Sequence, residues 1–191
     1  MQSFSKYHQS NQEISSEAGL IIAAQKEPEL FETLYLKYYE QIFLFIYQRV
    51  DSKETASDIT SQVFLKALVN LSRYQFKGVP FSAWLYRIAI NELNTCFKTN
   101  AKQRALNVEA ESMEEIMEEL QDDHNEEKHQ QVIRALTRLP EMELQFIEMR
   151  FFEKRSFKEI GDIFRITENN AKVKLYRILS KLRRIIESTR N

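Results

Sequence analysis

The chain has 191 residues, of which 43% are hydrophobic and 29% charged, and its formal net charge is −1. That length suits two small domains, and the hydrophobic share is enough to build their cores. Three Gly, three Pro and a single Cys disfavour a fold of many short strands and tight turns, and they exclude an internal disulfide framework.

Further function classes drop out quickly. His8, His124 and His129 have no spacing that suits a metal cage, so neither a metal nor another cofactor is expected. No Gly-rich phosphate cradle and no nucleophile beside a base is present, which argues against an enzyme and against a small-molecule substrate. The start, MQSFSKYHQSNQ, is polar, and no apolar run approaches the ~20 residues that span a bilayer. A cytoplasmic protein without direct membrane insertion is expected. The net charge conceals an asymmetry. Residues 1–108 carry a balance of +2, residues 109–127 one of −10 and residues 128–191 one of +7. A basic end behind an acidic spacer is the footprint of a nucleic-acid binder.

In chain order, residues 1–27 read as a polar tail and lead-in, frayed over 1–16. A first amphipathic helix is expected from Pro28 to Val50, with Leu30, Leu34, Tyr38, Ile42, Phe45 and Ile46 on one stripe. Asp51 or Ser52 can cap a second helix, Lys53–Leu71, whose inner face is Ala56, Ile59, Val63 and Ala67. Phe64, Leu65 and Leu68 add more apolar surface than that stripe uses, which suggests a partner. A loop, Ser72–Pro80, precedes a third helix from Phe81 to Lys98.

Around that loop Tyr74, Phe76, Phe81, Trp84 and Tyr86 surround Lys77-Gly78-Val79-Pro80. Aromatic rings beside cationic groups can stack on bases extruded from a duplex, but the same rings can equally be core. Core packing is the better reading for Trp84.

The acidic stretch 105–127 reads as a mobile, solvated linker, helical in part through EEIMEEL, and a sharper reading has it screen the basic end from non-specific DNA. From Lys128 the helical pattern resumes, first over Lys128–Arg138 and then after Pro140. Ser156-Phe-Lys-Glu159 matches a capping box and opens a short helix ending near Phe164. Arg165-Ile166 makes a turn and Thr167 can cap a helix over Glu168–Ile186. One face of that helix holds Ala171, Leu175, Ile178, Leu182 and Ile185. The other shows Asn169, Asn170, Lys172, Lys174, Arg177, Lys181 and Arg184. A short helix, a tight turn and a longer basic helix suit a major-groove reader. On spacing alone, a solvated helical hairpin fits as well.

Specific segments then narrow the choice. Leu139-Pro140-Glu141, Met149-Arg150-Phe151-Phe152-Glu153, Ser156-Phe157-Lys158-Glu159-Ile160 and Asn170-Ala171-Lys172 resemble region 4 of the sigma-70 family of RNA polymerase sigma factors. Phe81 through Asn91 (FSAWLYRIAIN) resembles its region 2.3–2.4, and Ala56 through Ala67 (ASDITSQVFLKA) its region 2.2. The likeness covers roughly residues 28–100 and 128–187, and its two-domain length is that of the extracytoplasmic-function (ECF) subfamily.

The resemblance implies an all-α protein of two small helical domains joined by an acidic linker. A region 2 bundle over 28–104 would bind core polymerase and the −10 element, and a region 4 helix-turn-helix over 128–191 the −35 element. The implied partners are core RNA polymerase (β′ and β subunits), promoter DNA and an anti-sigma factor. Asp58, Gln62, Phe64, Leu65, Lys66 and Leu68 would dock on polymerase. Phe76, Lys77, Gly78, Val79, Pro80, Phe81, Arg87 and Asn91 would handle the −10 element. Asn169, Asn170, Lys172, Val173, Lys174, Tyr176, Arg177 and Lys181 would meet the −35 element.

Three departures stand out. Ser61-Gln62 replaces a common Gln-Glu, and Asn169-Asn170 replaces a common Gly-Thr. Arg165 replaces a turn glycine, so a left-handed backbone there would be strained. The competing reading is a helix-turn-helix regulator that binds duplex DNA without polymerase. It leaves the aromatic loop and the Asp58–Ala67 surface without a role.

Overall fold

The computed structural model describes residues 9–100, 110–120 and 126–189, and all regular structure among them is helical. Backbone proximity divides the chain into one unit within Lys6–Asn107 and another within Val108–Asn191.

The N-terminal unit holds α1 (Asn11–Lys26), α2 (Phe31–Tyr47), α3 (Lys53–Asn70) and α4 (Phe81–Asn100). Helix α2 follows a 3-10 turn at Pro28–Leu30, where proline's missing amide proton costs nothing. Ser52 caps α3 by accepting from the Thr55 amide at 3.1 Å. The expected stripes are the core, except that Leu30 lies in the turn before α2 and is exposed. Leu34, Tyr38, Ile42, Phe45 and Ile46 of α2 meet Ala56, Ile59, Val63 and Ala67 of α3, and Leu85, Ala89 and Leu93 of α4 close the bundle.

Helix α1 corrects the expectation of a polar lead-in ending at residue 27. A capping box starts it, with the Ser10 hydroxyl accepting from the Glu13 amide and the Glu13 carboxylate accepting from the Ser10 amide at 2.7 Å. Ile21, Ala24 and, unexpectedly, Glu17 are buried. The helix escapes a search for apolar periodicity because polar side chains do much of its anchoring. The Glu17 carboxylate accepts from Lys37 Nζ at 2.6 Å, from the Tyr38 hydroxyl and from the Phe81 amide at 2.8 Å. Burial, and then the adjacent Glu17 charge, push the Tyr38 hydroxyl far above its usual pKa, so that it stays a donor.

The C-terminal unit holds α5 (Ala110–Leu120), α6 (Glu126–Leu136), α7 (Glu141–Ile147), α8 (Phe157–Phe164) and α9 (Glu168–Thr189). A π-helical turn, Glu148–Phe152, continues α7. Helix α5 corrects the solvated-linker expectation for 105–127. Its Met113, Ile116, Met117 and Leu120 are buried, the Ser112 hydroxyl donates to the Phe151 carbonyl at 3.1 Å, and Arg183 of α9 donates to the Leu120 carbonyl at 2.7 Å. Lys154 pairs with Glu115 at 2.6 Å. High acidity masked a three-four apolar pattern that the C-terminal unit uses. The rest of the expected linker, residues 105–109 and 121–125, lies outside the described residues.

Candidate nucleic-acid and polymerase interfaces

In the C-terminal unit, α8, a tight turn and α9 form the helix-turn-helix. The capping box is present, with the Glu159 carboxylate accepting from the Ser156 amide at 2.9 Å and the Ser156 hydroxyl accepting from the Glu159 amide at 3.2 Å. Arg165 ends α8 at φ 57° and ψ 43°, the left-handed region in which a Cβ is unfavourable, so the anticipated strain is present. The Ile166 amide then closes the turn on the Gly161 carbonyl at 2.9 Å, and Thr167 Oγ1 accepts from the Asn170 amide at 3.2 Å. Gly161 sits so close to the turn that a Cβ built on it would lie 2.9 Å from the Ile166 carbonyl oxygen.

This turn presents α9. Ala171, Leu175, Ile178 and Leu182 are buried, while Asn169, Asn170, Lys172, Val173, Tyr176 and Arg177 are exposed along the outer face. Two expected contacts are otherwise engaged. Lys174 lies over the Phe146 ring, 4.5 Å from its centroid, and donates to Met142 Sδ at 3.3 Å. Lys181 pairs with Glu143 at 2.8 Å. Both cations are half-buried and are paired or stacked within the unit.

In the N-terminal unit, the loop between Tyr74 and Pro80 exposes only part of what its composition offers. Phe76 is 38% exposed and Lys77 is exposed, while Gly78 turns the chain at φ 67°. Val79, Pro80 and Phe81 are buried. Phe81 packs edge-on to Tyr74 at 5.3 Å and to Trp84 at 5.3 Å, and is fully covered. These three anchor the loop, and in this conformation they are covered rather than offered at its surface. The apolar residues of a short loop are what fastens it to the bundle. Arg87 is half-buried and Asn91 exposed on α4.

On α3, Asp58, Gln62, Leu65, Lys66 and Leu68 are exposed, and Lys66 pairs with Glu92 of α4 at 2.6 Å. Phe64 is 3% exposed, wedged against Phe31, Tyr35 and Tyr39, and is therefore core rather than contact surface. The sequence reading missed neighbours of this surface. Val69 is 70% exposed, and Tyr35, Tyr39, Phe43 and Tyr47 form a ladder of ring contacts 5.2–6.0 Å apart along α2. The i, i+4 recurrence of aromatic residues was the available signal.

Two family models align with these units, Sigma-70 region 2 over residues 34–103 and Sigma-70, region 4 over residues 135–184, together more than half of the chain. The chain belongs to the sigma-70 family of RNA polymerase sigma factors. The ECF RNA polymerase sigma factor BldN of Streptomyces coelicolor is 28% identical over 84% of this chain and 61% of its own length. The RNA polymerase sigma factor YlaC of Bacillus subtilis is 23% identical over 86% of this chain and 96% of its own. Among solved structures, CnrH in complex with the cytosolic domain of CnrY matches with a TM-score of 0.55 at 14% identity, covering 88% of this sigma factor and 96% of that chain, a likeness of fold. In this sigma factor the region 4 match spans the helix-turn-helix, and the region 2 match spans α3, the loop and α4. The region 2 match begins at residue 34, so α1 lies outside it.

Proposed function

We propose that this sigma factor binds core RNA polymerase through its N-terminal unit, captures an unpaired −10 base with the loop around Phe76, and reads the −35 element with α9. It acts as a specificity subunit without catalysis of its own, in the cytoplasm; no helix among the described residues is long and apolar enough to cross a membrane. The observation that carries the reading is the division of exposed chemistry between two kinds of element. A regular helix shows amide and basic side chains suited to base edges and phosphates of an intact groove. A short loop shows one aromatic ring and one cation suited to a base out of its stack.

Docking on polymerase is proposed for Asp58, Gln62, Leu65, Leu68 and Val69 of α3, extended by the α2 aromatic ladder. An exposed apolar surface of this kind is costly in water unless a partner covers it. An anti-sigma factor that covers the same surface would block promoter use. CnrH, in its complex with CnrY, is a relative in fold bound to another chain.

The test is association with core polymerase that lacks a sigma subunit, followed by transcription from promoters enriched on overexpression. Binding to core and start sites dependent on this chain are expected. A chain that shifts duplex DNA unaided and ignores core is instead a plain helix-turn-helix regulator.

A further inference from the structure

The geometry points to α1 as a clamp that positions the promoter loop from both ends, with Gln25 holding the end at which the chain leaves α3 and Glu17 the end at which it enters α4. The inference rests on the assignment of the loop to −10 capture. Gln25 Nε2 donates to the Leu71 carbonyl at 2.9 Å and to the Tyr74 carbonyl at 2.8 Å, where the chain leaves α3. Glu17 Oε2 accepts from the Phe81 amide at 2.8 Å, where the chain enters α4. The two residues are eight apart on one helix, close to two turns and about 12 Å along its axis. Between the two holds, residues 74–80 form no regular element. The two holds therefore add, at the ends of an irregular segment, to the packing of Val79 and Phe81 that places Phe76 and Lys77.

The carboxylate is an unusual device for that task. Glu17 is 3% exposed, on a helix that otherwise contributes Ile21 and Ala24 to the core. A buried charge is retained at a cost unless it is fully hydrogen-bonded, and an apolar residue would fill the same space more favourably. Its partners explain its presence. It ties α2, through Lys37 and Tyr38, to the first amide of α4, where the helix dipole also favours an anion. Glu17 and Gln25 thus act through the loop as positioning residues for single-strand capture.

The test uses the full chain assembled with core polymerase. The probe is a fluorescent single-stranded oligonucleotide carrying the −10 non-template sequence of a start site mapped on overexpression. Gln25→Met keeps the length of the side chain but loses both donated bonds. It is expected to weaken oligonucleotide binding about tenfold while leaving affinity for core unchanged. Glu17→Gln removes the charge that joins α2 to α4 and should act in the same direction. Ile21→Val loosens the packing of α1 without touching either hold, and should bind the oligonucleotide like the unaltered chain. Equal oligonucleotide binding by Gln25→Met and the unaltered chain overturns the clamp, as does a matching loss in Ile21→Val. If the unaltered holoenzyme does not prefer the −10 oligonucleotide to a scrambled one, the loop assignment itself falls, and the clamp with it.

Discussion

The two DNA-facing elements are built on opposite plans. In α9 a regular helix buries one stripe and hands the other to solvent, so position along the sequence dictates what is offered. In the 74–80 loop the apolar residues divide: Val79, with Phe81 just beyond it, is used up as an anchor, while Gln75, Phe76 and Lys77 are left outside. A helix face can be read from periodicity because its backbone satisfies itself. A loop is held instead by its own apolar anchors and, at its two ends, by hydrogen bonds from α1.

The largest expected effect separates anchor from contact within that loop. Phe81→Ala empties a fully covered site and should cost about 3–5 kcal/mol of stability, measured by urea denaturation. Phe76→Ala should leave stability within about 0.5 kcal/mol, since the ring is partly in water. Its effect should instead fall on strand opening at about 1–3 kcal/mol, read by permanganate reactivity of the −10 region, with core binding intact. Similar denaturation midpoints for the two variants would erase the distinction.

On α9 the same logic divides the cations. Lys172→Ala and Arg177→Ala should each weaken −35 binding by about 1–3 kcal/mol if they contact base edges, measured with the holoenzyme on duplex probes at fixed salt. Lys181→Ala removes a charge already paired with Glu143 and should change that affinity by less than about 1 kcal/mol. A loss at Lys181 equal to that at Arg177 would return it to the DNA face. Smaller still is Arg165→Gly. Relief of the left-handed strain, about 1–2 kcal/mol, is partly offset by the greater freedom of glycine in the unfolded chain. A net gain of about 0.5–1 kcal/mol in thermal or urea denaturation is expected, and a loss would show that the Arg165 side chain earns its place through contacts.

Much of the fold was legible because its helices carry apolar stripes or explicit caps. The α3 stripe, the α2 stripe apart from the exposed Leu30, the Ser156–Glu159 box and the Thr167 cap stand where spacing puts them. The failures share a cause, which is that polar residues took structural roles. Glu17 and Gln25 fasten α1 through hydrogen bonds, so no hydrophobic period announces that helix. The acidic face of α5 drew attention away from Met113, Ile116, Met117 and Leu120. Site residues were lost in the reverse way. Phe64 was assigned to a partner on surplus apolar surface, and Val79 and Phe81 through the family resemblance, but neither tells a side chain that faces a neighbouring helix from one that faces water. Lys174 and Lys181 were assigned by face, and their intramolecular partners, Phe146, Met142 and Glu143, lie more than 25 positions away in sequence.

The glycine at 161 carries a consequence for how this module can vary. Any heavier residue there meets the carbonyl of Ile166 and the backbone that leads into α9, so the reading helix would have to pivot to make room. Among random replacements in the C-terminal unit, position 161 should therefore be among the least forgiving for promoter choice, although it never meets a nucleotide. The outward residues of α9 can be exchanged for new sequence tastes, but the angle of presentation depends on a single hydrogen atom.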